Sequence, residues 1–334
     1  MRLRILSVCI AVVLLIAPVR AADTLPGSLT GQAFWKMITD FSEPGGTFDF
    51  EMLMSNEVTF QTILPDLLSR VPQGGVYLGV APEQNFTYIA ALRPKVAFII
   101  DIRRQNMVEM LMYKALFETS PTRGEFLSRL FSRRVDPGLD PQASVDRIFA
   151  SLAARGDIEL FNQNLKRIKD HLHKTRGFAL SAEDDRTIDY IYNAFFRGGP
   201  GASLTTYGTS YRLLMLQTDG RNRNRNFLAS DSNYQFVRGM HQKNLIIPIV
   251  GDFAGPRAMK AVAGYIRQHN AEVNVFYVSN VEEYIRLPRS AWSQYCRNLA
   301  ALPINSSSMF IRFGRAGRGS FLGSMLPFVK SCLG

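Results

Sequence analysis

The chain has 334 residues, 46% of them hydrophobic, and its 39 Lys and Arg stand against 28 Asp and Glu for a formal net charge of +11. That is enough chain for one large domain, or one domain carrying an insertion. The positive charge is spread along the chain without a nucleic-acid-binding module, and the aromatics fall at core-like spacings. The charge therefore reads as solubility and weak attraction to anionic surfaces.

Residues 1–21 read as a signal peptide. Arg2 and Arg4 form a basic start, Ile5–Ala17 is a short apolar run, and Val19-Arg20-Ala21 offers a cleavage site before Ala22. The expectation is export to the periplasm or outside the cell. No later stretch is long and apolar enough to cross a bilayer. Removing this segment leaves two cysteines, Cys296 and Cys332. In an oxidising compartment they form a disulfide or remain two buried thiols.

Residues 22–72 read as a helical lead-in, with apolar positions in Phe34–Phe41 and Val58–Val71. Residues 73–334 then read as an α/β domain. It opens with GGVYLGVAPEQNFTYIAALRPKVAFIIDIRRQN, a buried strand over Val76–Val80, a tight polar loop, a short helix and a second buried strand over Val96–Ile102. Continuous apolar runs bounded by Gly and Pro fit strands covered on both faces, as in a parallel sheet. Asp101 lies 22 residues after Gly79, near the spacing at which Rossmann-like folds place an acid on a ribose hydroxyl. Val108, Leu111, Met112, Ala115 and Leu116 recur at helical spacing and give the helix that packs back on the sheet.

Residues of about 120–200 contain no convincing strand and several amphipathic segments, the clearest being Ile158, Phe161, Leu165, Ile168 and Leu172. This is read as a helical insertion. The RNRNRN run at Arg221–Asn226 reads as an exposed loop, and Ser230–Asn233 as an N-cap cluster for a helix over Tyr234–Gln242. Further strands follow at Leu245–Gly251, Val273–Ser279 and Met309–Phe313, with a helix over Pro256–His269 between the first two. Strands alternating with helices predict a doubly wound, mostly parallel sheet. The glycines of Gly314–Gly319 do not match GxGxxG and read as a flexible basic turn.

Gly79, Asp101, Asp252 and Asn280 fall at or just past the carboxyl ends of successive strands, the edge where open α/β sheets bind ligands. The pattern resembles the class I S-adenosylmethionine-dependent methyltransferase fold. More narrowly, the GVAPEQNFTYI, DIRRQN, VGDFAGP and FYVSNVEEY blocks resemble an uncharacterised bacterial family with that fold, over roughly Gly74–Arg312. The resemblance implies cofactor contacts from Gly79, Glu83, Gln84 and Asn85 in the first loop, from Asp101 and Arg103 at the ribose, and from Asp252 and Phe253 at the adenine. It makes Asn280, Tyr284 and Glu283 the catalytic or acceptor-positioning candidates, with S-adenosylmethionine as cofactor. The first loop departs from the glycine-rich form of the family. Pro82 removes one N–H donor, and Glu83 repels a carboxylate while attracting an ammonium group.

Each acid has a second reading. Asp101 and Asp252 either contact a ligand or cap the turns that follow them. Arg103, Arg104, Gln105 and Asn106 either receive a polar or anionic group or form a solvated first helical turn. Asn280–Tyr284 either carries a catalytic amide and acid or merely opens a helix. His171 and His173, two apart on a helix, do not share a face and make poor metal partners. His241 and His269 read as surface histidines. No HExxH, paired-Cys zinc spacing, GxSxG elbow or Walker loop occurs, and no metal is expected. The functional expectation is an exported protein that binds a nucleoside-type or other small polar ligand. The alternatives are methyl transfer to a small or envelope-associated acceptor, or a structural role with a vestigial cleft.

Overall fold

Five apolar runs become the parallel part of one sheet, at β1 (Val76–Gly79), β2 (Val96–Asp101), β3 (Ile246–Val250), β4 (Val273–Ser279) and β5 (Met309–Gly314). The computed structural model describes residues 22–314 and 319–334, so the signal-peptide segment lies outside the described residues. Every residue of β1, β2 and β3 is buried, which requires cover on both faces and explains why these strands are continuous apolar runs. A sixth strand, β6 (Gly319–Ser324), pairs antiparallel with β5. The sheet order is β3-β2-β1-β4-β5-β6. The chain therefore builds outward from β1 to β3, then returns to lay β4 against the other side of β1.

The protein is thus α/β with a mostly parallel sheet. Sequence reading stopped at β5. The basic turn expected over Gly314–Gly319 falls between β5 and β6 on residues 315–318, outside the described residues, and after β6 a last helix, Met325–Leu333, follows. That helix is fastened by a Cys296–Cys332 disulfide, with Cα atoms 5.6 Å apart, to the helix Arg289–Ala300. Closing a loop of this length contributes about 3–4 kcal/mol in the chain-entropy account.

The insertion is helical, with helices at Arg123–Phe131, Val145–Ser151, Ile158–Asp170 and Ala182–Gly198, and a π-helical turn at His171–Thr175. Ser181 starts the longest of them with a reciprocal capping box to Asp184. Two further helices, Tyr211–Met215 and Asp231–Gln242, come before β3, and Ser230 caps the second by accepting from Asn233 N. Two expectations need correction here. The RNRNRN run is exposed only in its first half, because Asn226 is fully buried and Arg225 pairs with Asp219. His241 is not a surface residue: it is 1% exposed and stacks on Phe117 with ring centroids 4.8 Å apart.

The lead-in is part of the domain rather than an appendage. After the helix Gly31–Phe41 it runs along the carboxyl ends of the strands. There Glu43 N donates to Val250 O (2.8 Å) and Gly46 N to Ile102 O (2.8 Å). The Glu43 carboxylate accepts from Arg257 N and Ala258 N, each at 2.7 Å, and so caps the helix Ala258–Gln268 from a remote segment.

Candidate functional site

A cleft of about 550 Å³ opens at the carboxyl ends of the parallel strands. Val80 and Ala81 border it after β1, Asp101 and Arg103 at β2, Gly251 and Asp252 after β3, and Ser279 and Asn280 at β4. Its other wall comes from outside the sheet. Phe48, Phe50 and Met52 of the lead-in and Thr205–Tyr207 of the insertion arch over it. A short antiparallel bridge between Met52 and Thr205 joins the two segments, with Leu53 N donating to Leu204 O at 3.0 Å. The rings of Tyr284, Phe48, Phe50 and Tyr207 follow one another along this arch, with centroids 5.1, 5.5 and 5.8 Å apart.

Of the residues named from the sequence, Asp101, Arg103, Asp252, Phe253, Asn280 and Tyr284 line this one cleft. Gly79, Glu83, Gln84, Asn85 and Glu283 are not among its lining residues. The first loop is instead held from within. Asn85 Nδ2 donates to the carbonyls of Val80, Ala81 and Pro82 at 2.7–2.9 Å, and its Oδ1 accepts from the Tyr77 hydroxyl at 2.8 Å. A Cβ on Gly79 would fall 1.9 Å from that Oδ1, so glycine is needed there for Asn85 to fold under the loop. Ala81 takes the left-handed conformation, φ 65°, which costs a non-glycine residue about 1–2 kcal/mol. Glu83 accepts from Ser55 N at 3.1 and 3.2 Å, and burial pushes its carboxyl up to about 7.

Asp101 and Asp252 each border the cleft and each cap the turn that follows. Asp101 Oδ1 accepts from Arg103 N (2.9 Å) and Nε (3.0 Å), and Oδ2 from Arg103 Nη2 (2.9 Å), so the acid both caps the turn and clamps the guanidinium. Arg103 is the sole cation among the described residues lining the cleft, and Asp101 pairs with it. Asp252 Oδ1 accepts from Ala254 N at 2.8 Å. The turn after Asp101 is not simply solvated: Arg103 is 8% and Asn106 1% exposed, and Arg104 pairs with Asp184. Asn280 precedes a single short helix, Glu282–Ile285, in which Glu282 pairs with Arg312 while Tyr284 faces the cleft.

Sequence reasoning missed the residues beneath the cleft. Glu57, from the lead-in, is 1% exposed. One carboxylate oxygen accepts from the hydroxyls of Tyr277 (2.7 Å) and Ser279 (2.5 Å), and the other from Gln84 Nε2 (3.0 Å). Burial raises its pKa above the ordinary carboxylate value, against the hydrogen bonds from Gln84, Ser279 and Tyr277. Ser279 lies in the left-handed region, φ 52°, where the β4–β5 register shifts between Tyr277 and Ser279. Nothing local in the sequence pairs Glu57 with Ser279, 222 residues away. The alternation in Phe48-Asp49-Phe50-Glu51 was the one signal of an arch, and Tyr207 had none.

Among the described residues, no group of three or more His, Cys, Asp or Glu is placed to hold a metal ion, and no helix is long and apolar enough to cross a membrane. None of the curated proteins matches the chain. A family model described as Domain of unknown function (DUF7790) matches residues 52–321, from the arch through the first half of β6. That match spans well over half of the chain, and the protein belongs to this family.

Proposed function

We propose that the protein is exported and binds a nucleoside-type or other small polar ligand in this cleft, on a doubly wound, Rossmann-like sheet. The carrying observation is the convergence of Asp101, Asp252 and Asn280, from the ends of β2, β3 and β4, on one cleft where the strand order reverses between β1 and β4. In this reading Asp101 accepts from vicinal hydroxyls through the lone pairs that Arg103 leaves open, and Asp252 contacts the base. The arch supplies apolar cover for a planar ring. The N-terminal pattern and the disulfide support export.

Methyl transfer from S-adenosylmethionine is the second reading, favoured by the strand order and by the antiparallel last strand. Asn280 and Tyr284 would then orient the acceptor, with Glu283 as a nearby acid. Thermal shift of the protein with S-adenosylmethionine, S-adenosylhomocysteine and a nucleoside panel separates the two readings. Stabilisation by the first pair supports transfer, and stabilisation by another ligand supports binding alone. Calorimetry with the stabilising ligand should show Asp101→Ala weakening binding about ten- to a hundredfold, the worth of charge-assisted hydrogen bonds, and Asp252→Asn weakening it less. Unchanged affinity in both variants would place binding elsewhere.

A further inference from the structure

We propose that Ser279 is an activated nucleophile in the cleft, that Glu57 is its general base, and that the group it takes is the neutral carbonyl of an ester. The inference uses the cleft of the binding reading and does not depend on the ligand being a nucleoside.

Three observations converge. Ser279 borders the cleft and its Oγ donates to Glu57 Oε1 at 2.5 Å, so one residue lines the ligand space and contacts a buried base. Glu57 is itself oriented by the Tyr277 hydroxyl and by Gln84 Nε2, the third-group support that a nucleophile–base pair requires. Ser279 also ends a strand just before a turn and a short helix, in a left-handed backbone conformation that a serine adopts only at a cost. A GxSxG turn achieves such exposure with glycines two residues either side of the serine, where this chain has Tyr277 and Val281. Here the register shift at Tyr277/Ser279 re-aims the side chain instead.

The choice of a neutral carbonyl follows from charge. Among the described residues, Asp101 and Asp252 line the cleft and the one lining cation is clamped by Asp101, so a phosphoryl group would meet two acids and no unpaired cation there. In the step, Ser279 Oγ bonds to the carbonyl carbon while its proton passes to Glu57 Oε1 and the C=O electron pair moves onto oxygen. As the carbonyl re-forms, the alkoxide departs and takes the proton from Glu57 as an alcohol. Water then repeats the sequence on the acyl-serine and releases the acid. If Ser279 only satisfied a buried carboxylate, it would have no such reactivity.

A fluorophosphonate tests this without a known substrate, since an activated serine oxygen displaces fluoride and keeps a phosphonyl mass. Peptide mapping of the labelled full chain should find one adduct, on Ser279. It should be absent in Ser279→Ala and form at least tenfold more slowly in Glu57→Gln. Should Glu57→Gln fail to fold, the wild-type labelling rate decides. It should rise as Glu57 deprotonates, above the ordinary carboxylate range, and then level off. The titratable groups facing Glu57, namely Tyr77, Tyr88 and Tyr277, stay protonated over that range because burial raises all three well above 10.0. No adduct on Ser279 under excess reagent overturns the proposal, as does a rate indifferent to Glu57→Gln. A rate that climbs with hydroxide without levelling also overturns it. A ligand found by thermal shift would leave the binding reading standing in each of those cases.

Discussion

Glu109 and Glu118 lie on the same helix, Arg104–Thr119, and both are hidden from solvent, yet their surroundings are opposite. Glu118, at the end away from the cleft, accepts from Lys114 Nζ (2.6 Å), Arg176 Nε (2.7 Å) and His171 Nε2 (2.5 Å). Burial pushes its carboxyl up, but these partners outweigh burial and hold it at about 2. Burial brings Lys114 down to about 8 even with Glu118 beside it. Glu109, toward the cleft, has no hydrogen-bond partner on either oxygen among the described residues. Burial, followed by the charge of Glu83, pushes it well above the ordinary carboxylate value, against the pull of Arg103. The side-chain amide of Asn106, on the same helical face, also lacks partners among the described residues. On this helix the buried acid is saturated at the end that holds the insertion in place and unsaturated at the end toward the cleft, the pattern expected where stability yields to function.

The largest expected effect comes from breaking the saturated end. Glu118→Gln leaves Lys114, Arg176 and His171 facing no acid and should cost about 3–5 kcal/mol in denaturant unfolding. A loss below about 1 kcal/mol would mean that the network is no more than a solvated surface cluster.

The pH dependence of stability sharpens the contrast, because the two ends slope in opposite directions. Glu118, depressed from 4.5 to about 2, contributes stability that is present above 4.5 and lost as pH falls through 2. Glu83, raised from 4.5 to about 7, contributes stability that is present below 4.5 and lost as pH rises through 7, and Glu109 acts in the same direction. The changes at Glu118 and Glu83 each correspond to an amplitude on the order of 3 kcal/mol at 1.36 kcal/mol per pH unit. Unfolding measured from pH 3 to 8 should lose its acid limb in Glu118→Gln and its upper limb in Glu83→Gln. If both variants kept the wild-type profile, neither acid would be coupled to folding.

The smallest effect falls on the unsaturated end. Burial pushes Glu109 well above the ordinary carboxylate value and so favours its neutral form, which Glu109→Gln matches in shape, and the substitution should change stability by less than about 1 kcal/mol. A penalty near that of Glu118→Gln would show that Glu109 is charged and paired in solution, and the comparison between the two ends would fail.

The apolar runs of β1 to β5 were legible because strands buried on both faces must be apolar throughout, whatever packs on them. Asp101, Asp252 and Asn280 were legible for a related reason. A polar residue that abruptly ends such a run has to sit at the sheet edge. β6 was not legible, since Gly-Ser-Phe-Leu-Gly-Ser is a half-exposed antiparallel edge with neither a continuous apolar run nor clean alternation. His241 was misread because the residues that follow it, Gln242, Lys243 and Asn244, are polar, while the rings that bury it, Phe86 and Phe117, come from two other helices.

The sequence by itself determined the sheet strands, the insertion and the edge at which a ligand cleft would open, because burial and chain reversal leave local signatures. Only the tertiary structure decided what surrounds that cleft. Glu57 reaches Ser279, Glu43 caps a helix more than 200 residues away, and the lead-in meets the insertion over the strand ends. Those pairings depend on where the lead-in settles on the finished sheet. Their hydrogen bonds form between groups that any exposed segment carries, so nothing local marks one segment as the partner of another.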